Sequence, residues 1–187
     1  MTRRIGVAIE IPQPWSDELA TWRAKVGDPQ AGSIPPHVTL LTPMQLPDGD
    51  LAAAQEHLGA VAADRRTFEL HLRGTGTFRP VSDVVFVVVA SGISECEQLE
   101  HRVRSGPLQR GLQYPYHPHV TVAQELPDDA LDRAYDGLAG FEARFEVAGF
   151  TLFEHGRDGV WRPRRVFAFR ASSNGASSRG GPREGTA

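Results

Sequence analysis

Residues 36–40 read Pro-His-Val-Thr-Leu, and residues 118–122 read Pro-His-Val-Thr-Val. The second copy begins 82 residues after the first. Successive side chains of a β-strand point to opposite faces, so the histidine and the threonine of each copy project from the same side. The aliphatic residues point the other way, towards a core. Each copy therefore predicts a short strand that presents one imidazole and one hydroxyl on a polar face.

The elements around the two motifs follow the same order twice, strand, helix, strand, helix and strand. The evidence is period-2 alternation for strands and apolar spacing for helices. The predicted strands are 5–11, 37–41, 67–73, 84–90, 119–123, 141–153 and 166–170, and the predicted helices are 17–26, 48–63, 93–103 and 127–138. This order predicts an α+β protein with two lobes, whose strands face one another.

Length and composition indicate one globular domain. The chain has 187 residues, of which 40% are hydrophobic and 23% are charged, and these values suit a protein with a sizeable core. We predict a single bilobal domain at residues 1–171. The Gly/Ser-rich stretch 172–187 has no apolar anchor, which predicts a disordered C-terminal tail.

The charge balance and the single cysteine narrow the function classes. A formal net charge of −3 disfavours extensive binding to duplex nucleic acid, which needs many phosphate contacts, but allows a short RNA end or a nucleotide. Cys96 alone cannot form an internal disulfide or a cysteine metal cluster. No targeting segment is evident, and the most apolar run, 84–90, is too short to cross a bilayer. We predict a cytoplasmic protein without a membrane partner.

Two imidazoles that face each other across a cleft suit phosphodiester chemistry without a metal. One neutral histidine accepts a proton from the attacking oxygen, and one protonated histidine donates a proton to the leaving oxygen. The threonine hydroxyls can donate hydrogen bonds to the phosphate oxygens. This predicts His37 and His119 as catalytic residues and Thr39 and Thr121 as substrate-binding residues. Catalytic zinc sites need a third protein ligand, and no such ligand accompanies either motif, so we expect neither metal nor cofactor.

The repeated His-Val-Thr-aliphatic motif resembles the signature of the 2H phosphoesterase superfamily. The nearest branch is the bacterial 2'-5' RNA ligase family, also called RNA 2',3'-cyclic phosphodiesterases. Residues 74–80, Gly-Thr-Gly-Thr-Phe-Arg-Pro, and the strand after them resemble that family's Gly-x-Phe turn and central strand. Residues 116–123 resemble its second motif, and 150–169 its last hairpin. The resemblance covers about residues 4–170.

The resemblance implies antiparallel sheets that face a central cleft, with helices outside. It implies hydrolysis of a 2',3'-cyclic phosphate on an RNA end or a nucleotide, which leaves a 2'-phosphate, and reversible 2'-5' RNA ligation. By analogy His37 is the general acid and His119 the general base, although the sequence itself does not decide between them. Other members of the superfamily open 1'',2''-cyclic phosphates or trim RNA 3' ends, and these activities stay open.

Further substrate contacts are predicted from residues near the motifs. The family's second motif is commonly followed by a basic residue, where this chain has Ala123 and Gln124, so a cation must come from elsewhere. Arg79 and Arg162 are the candidates. The aromatic residues that could stack on a base are Phe78, Tyr114, Tyr116 and Trp161. The basic stretch 162–165 either contacts RNA phosphates or is a solvated hairpin edge.

The partners that we predict are RNA 3' ends or cyclic nucleotides. Nothing in the sequence implies an obligate protein partner, and we expect a monomer. The alternative to an enzyme is a module that binds RNA ends or nucleotides without turning them over. The two alternatives differ in whether both histidines transfer protons.

Overall fold

The two His-Val-Thr motifs lie on edge strands of two different antiparallel sheets. The computed structural model describes residues 1–171. The strands in this range are β1 (Thr2–Glu10), β2 (His37–Pro47), β3 (Phe68–Thr77), β4 (Val84–Ser91), β5 (His119–Gln124), β6 (Glu142–Val147), β7 (Gly149–His155) and β8 (Trp161–Ala168), and the α-helices are α1 (Trp15–Lys25), α2 (Leu51–Ala63), α3 (Ile93–Val103) and α4 (Asp128–Gly137). The strand order is β2-β1-β7-β8 in the first sheet and β5-β4-β3-β6 in the second. The predicted α+β class with two antiparallel sheets is confirmed.

The two halves of the molecule are built alike. The succession β1-α1-β2-α2 in the first half corresponds to β4-α3-β5-α4 in the second. In both halves the motif strand pairs with the strand before it in the chain and ends the sheet on that side. Strand-to-strand pairing therefore places His37 opposite Glu10 and His119 opposite Val88.

Helices of one half cover the motif strand of the other half. Helix α1 packs against β5, and α3 packs against β2. The Trp22 ring of α1 lies where a side chain on Gly137 of α4 would be, because a Cβ there would be 2.1 Å from the ring. Buried apolar residues of both sheets form one continuous core. This exchange of helices holds the two edge strands side by side.

The prediction that residues 141–153 form one strand is wrong. The segment divides into β6 and β7, which belong to different sheets. The chain crosses from one sheet to the other at Ala148 and Gly149, and a Cβ on Gly149 would lie 2.4 Å from the Phe167 carbonyl oxygen. Apolar residues fall at odd positions up to Val147 and at even positions from Phe150, so the crossing coincides with a one-residue shift of the apolar period.

Several boundaries differ from their predicted positions. Strand β2 continues to Pro47 because residues 2–5 of β1 pair with it, and β8 begins at Trp161, where it pairs with His155. The predicted helix 48–63 starts with a 3-10 turn at Asp48–Asp50. The predicted tail, 172–187, lies outside the described residues. No helix within residues 1–171 has the length and apolar character that crossing a bilayer requires.

Candidate active site

The two motif imidazoles are held in the same way. His37 Nδ1 lies 2.8 Å from the Pro35 carbonyl oxygen, and His119 Nδ1 lies 2.7 Å from the His117 carbonyl oxygen. A carbonyl only accepts, so each Nδ1 carries a hydrogen and donates it. The lone pair of the neutral ring is then on Nε2, which is the atom left for proton transfer. Each acceptor lies two residues before its histidine, with a proline between them.

The motif strands have one buried face and one open face, as their sequences predict. Val38, Leu40, Val120 and Val122 are at most 1% exposed. The histidine and threonine of each motif are only half-buried. Within the part of the chain that is described, neither motif threonine has a hydrogen-bond partner for its hydroxyl. Both hydroxyls can therefore donate to a ligand.

The two motifs lie against each other in the folded protein. Strand β2 packs against β5, and the Tyr116 hydroxyl donates a 2.8 Å hydrogen bond to the Thr39 carbonyl oxygen. The two imidazoles also interact electrostatically, since His119 lowers the pKa of His37. Residues 82 positions apart are thus brought to one site.

Burial lowers the pKa of both imidazoles. For His37 the nearby charges of Arg23 and His119 lower it further, whereas the hydrogen bond to Pro35 raises it. For His119 the neighbouring His117 adds to the effect of burial, and the hydrogen bond to the His117 carbonyl opposes it. Both rings are consequently held towards the neutral form in the free protein. A phosphate anion between them would favour a proton on one ring.

A cleft of about 520 Å³ opens beside the motifs. Its described lining residues include arginines and histidines and no carboxylate: Arg4, Gly6, Val7, Ala8, Arg23, Gln30, Ser33, Ile34, His37, Thr39, Leu41, Pro43, Thr121, Gln124, Phe153, His155, Gly159 and Trp161. A lining of cationic and neutral polar groups favours an anionic ligand. In residues 1–171, no group of three or more His, Cys, Asp and Glu side chains is arranged to hold a metal ion.

Aromatic rings pack against His119, which, like these rings, is not among the described residues that line the cleft. Its ring centroid is 5.1 Å from those of Phe78 and Phe86, and the Phe78 ring is almost perpendicular to it, at 89°. Phe86 reaches this position because Gly76 has no side chain; a Cβ there would lie 2.6 Å from the Phe86 ring. The Gly-x-Phe turn therefore shapes the surroundings of an imidazole.

Other predicted contact residues are engaged elsewhere. The Tyr116 hydroxyl donates its hydrogen bond to the Thr39 carbonyl oxygen, and burial raises the pKa of this phenol. Arg79 Nη2 lies 2.7 Å from Asp132, and its Nη1 lies 3.7 Å from Asp128. Arg162 forms an ion pair with Asp158. These contacts argue against the two arginines as phosphate ligands.

The cations that line the cleft are ones that sequence reasoning missed. Arg23 is buried, pairs with Asp28 at 2.8 Å, and donates to the Ile34 carbonyl at 2.7 Å, just before the first motif. Arg4 comes from β1. Its signal in the sequence is the alternation Arg4, Gly6, Ala8, opposite to the apolar face of that strand. The rest of this wall depends on strands that are distant in sequence.

Of the aromatic residues proposed to stack on a base, Trp161 lines the cleft. Its ring lies 4.9 Å from that of His155, to which sequence reasoning assigned no role. Tyr114 is 61% exposed and does not belong to the described lining. In the basic stretch, Arg164 lies 3.7 Å from Glu154, and Arg165 packs on Phe167.

A family model and a curated relative both match most of the chain. The family model of the 2'-5' RNA ligase superfamily matches residues 11–159. A Bacillus licheniformis protein with the provisional name phosphoesterase is 32% identical over 166 residues, which cover 88% of this chain and 97% of that protein.

Two solved structures share the fold. E. coli LigT complexed with 3'-AMP has a TM-score of 0.70 at 21% identity, covering 90% of this chain and 99% of that one. TT0787 of Thermus thermophilus has a TM-score of 0.67 at 22% identity, covering 90% and 98%. With two matched His-Val-Thr strands at one cleft, and a family model that spans most of the chain, the protein belongs to the 2'-5' RNA ligase superfamily of 2H phosphoesterases.

Proposed function

We propose that this phosphoesterase hydrolyses 2',3'-cyclic phosphates on RNA 3' ends or nucleotides and leaves a 2'-phosphate. The observation that carries the proposal is the matched pair of imidazoles, each with Nδ1 bound to a carbonyl and Nε2 left free. The anion-compatible lining of the cleft supports it. The LigT structures with 3'-AMP, ATP and phosphate add support, because that protein has the same fold.

The reaction needs two proton transfers. One imidazole removes a proton from water as the water oxygen bonds to phosphorus. The bond between phosphorus and the 3' oxygen breaks, and the other imidazole, protonated beforehand, donates its proton to that oxygen. The products are a 3'-hydroxyl and a 2'-phosphate. A proton exchange with solvent then restores the two rings.

The threonine hydroxyls hold the phosphate in this reaction. Thr39 and Thr121 stand two residues after the imidazoles on the same strand faces, so both hydroxyls can donate to the non-bridging oxygens. By the family analogy His37 acts as the acid and His119 as the base. An RNA 5'-hydroxyl that attacks in place of water would form a 2'-5' linkage by the same proton transfers, which is the ligation we propose.

A panel of cyclic phosphates tests the activity. Purified protein is incubated with 2',3'-cyclic AMP, an RNA ending in a 2',3'-cyclic phosphate, and a 1'',2''-cyclic phosphate, with and without EDTA. Separation of 2'- from 3'-phosphate products identifies which bond breaks. We expect 2'-phosphates from the first two substrates, with EDTA having no effect.

Variants of single histidines separate an enzyme from a binding module. His37→Ala and His119→Ala should abolish most turnover, whereas His101→Ala, which removes an exposed histidine on α3, should not. Wild-type binding of 2',3'-cyclic AMP without any product would instead indicate the non-catalytic alternative. Cell fractionation and gel filtration test the cytoplasmic location and the monomeric state that belong to this proposal.

A further inference from the structure

Three side chains form a row across the first sheet, away from the motif histidines His37 and His119. Arg4 on β1 pairs with His155 on β7, and His155 pairs with Trp161 on β8. All three line the cleft. The Arg4 guanidinium carbon lies 5.6 Å from the centroid of the Trp161 ring, a cation–π distance, and the His155 ring lies 4.9 Å from the same ring.

Arg4 is a cation without an acidic partner. Its neighbour Arg3 points to the other face of β1, where Asp48 is 2.9 Å and Glu154 3.2 Å away. Arg4 is exposed, and within residues 1–171 it has no ion pair and no side-chain hydrogen bond. A guanidinium held over a tryptophan ring keeps its N–H groups available for phosphate oxygens.

Residues with small side chains lie on the strand face between this row and the motifs. Gly6 and Ala8 lie between Arg4 and the site on the same face of β1, and Ala8 pairs with Thr39. Four residues of strand separate Arg4 from Ala8 by about 13 Å. A phosphate held by the histidines is therefore too far away to contact the start of β1 itself, but the nucleoside attached to it can lie over the small residues between.

We propose that Arg4, positioned by Trp161 and beside His155, is a second phosphate site that binds the 5'-phosphate of the nucleotide whose cyclic phosphate lies between His37 and His119. This rests on the proposed function and specifies its substrate class. The enzyme would prefer an RNA 3' end, or a nucleotide with a 5'-phosphate, over a nucleoside cyclic phosphate. In RNA the same contact would reach the last internucleotide phosphate.

Binding of two stable nucleotides tests the second site without turnover. Affinities for adenosine 3',5'-bisphosphate and for 3'-AMP are measured by calorimetry with wild type, Arg4→Met and Arg73→Met. We expect wild type to bind the bisphosphate about ten-fold more tightly, since one charge-assisted contact is added. Arg4→Met should remove this preference and leave 3'-AMP binding within about two-fold.

The control variant loses the same charge at a different place. Arg73 is exposed on β3 of the second sheet, so Arg73→Met should keep the ten-fold preference. Arg4→Lys, which keeps the positive charge, should keep part of the preference, and retained 3'-AMP binding by Arg4→Met excludes a general loss of folding in that variant. Equal wild-type affinity for the two nucleotides, no detectable binding of the bisphosphate, or an unchanged preference in Arg4→Met would each contradict the proposal.

Turnover distinguishes this inference from the function on which it rests. Adenosine 2',3'-cyclic phosphate is compared with its 5'-phosphorylated form in wild type and Arg4→Met. If wild type hydrolyses both at the same rate, the second site is wrong and the activity stands. If neither is hydrolysed but the bisphosphate preference depends on Arg4, the activity is wrong and the second site stands.

Discussion

The surroundings of His37 and His119 differ much more than the two imidazoles do. Both rings donate Nδ1–H to a carbonyl two residues earlier, at 2.8 and 2.7 Å. His37 lines the cleft together with Arg23 and with the row of Arg4, His155 and Trp161. His119 packs against the rings of Phe78 and Phe86. One half of the site is polar and cationic, and the other half is aromatic.

This difference suggests separate roles for the repeated and the unrepeated parts of the site, proton transfer and substrate positioning. The repeated tetrapeptide supplies what proton transfer needs in duplicate, an oriented imidazole and a neighbouring hydroxyl. The parts that are not repeated determine where the rest of the substrate lies, because anionic groups are favoured on the cationic side. In the proposed function, the chemistry is thus symmetric between the halves, and substrate recognition is not.

The largest expected effect comes from the two histidines. We expect His37→Ala and His119→Ala each to lower kcat by about 10²–10⁴-fold. If both rings act in one step, the double variant loses little more than the worse single variant. Losses that multiply would contradict a shared step, because they would show two independent contributions. The measurement is steady-state turnover of 2',3'-cyclic AMP.

A smaller loss is expected from the two threonines. Thr39→Val and Thr121→Val keep side-chain size and remove one hydroxyl each, so we expect about ten-fold lower kcat/KM for each. Thr42→Val, also on β2 but outside the described cleft lining, is the control and should change little. A loss confined to one of the two motif threonines would show that the phosphate sits in one half of the site.

The pH dependence of wild-type kcat/KM reports on the protonation of both rings together. The proposed mechanism needs one neutral and one protonated imidazole, a state most populated between their two pKa values. Burial lowers both pKa values below about 6.5 in the free protein, so kcat/KM should be greatest below that pH. It falls at lower pH as the base gains a proton and at higher pH as the acid loses one.

Bound substrate should move this profile. A phosphate anion favours the charged imidazole, so the maximum of kcat is expected at higher pH than that of kcat/KM. Phe78→Leu provides a variant for one half only, since it loosens the packing around His119 and leaves His37 in place. Less burial of His119 should raise its pKa and so shift one limb of the profile to higher pH. A shift of both limbs, or a wild-type kcat/KM maximum well above pH 6.5, would contradict the effect of burial on the two rings.

The smallest effect is expected at Arg79. Its ion pairs with Asp132 and Asp128 keep it engaged, so Arg79→Met should change kcat/KM by less than about two-fold. Arg4→Met measured with a 5'-phosphorylated substrate is the contrasting variant. A ten-fold loss in Arg79→Met would restore the sequence-based prediction that this arginine binds phosphate.

Sequence reasoning succeeded where neighbours in the chain decide the outcome. The alternation of Val38 and Leu40 with the motif side chains correctly predicted a buried face and a polar face. The prediction of one strand over 141–153 was wrong because it ran through a one-residue shift of the apolar alternation at Ala148 and Gly149, where the chain changes sheets. Arg79 was a candidate phosphate ligand because no basic residue follows the second motif, whereas its side chain is directed to acidic residues of α4.

Local sequence is enough to place an imidazole and a hydroxyl on one face of each motif strand and apolar side chains on the other, because side-chain direction follows from local backbone geometry. The meeting of the two edge strands and the row of Arg4, His155 and Trp161 exist only in the folded chain. That row depends on β1, β7 and β8 lying side by side. Strand order results from the packing of the whole core. No single stretch of sequence contributes enough to that packing to reveal the order.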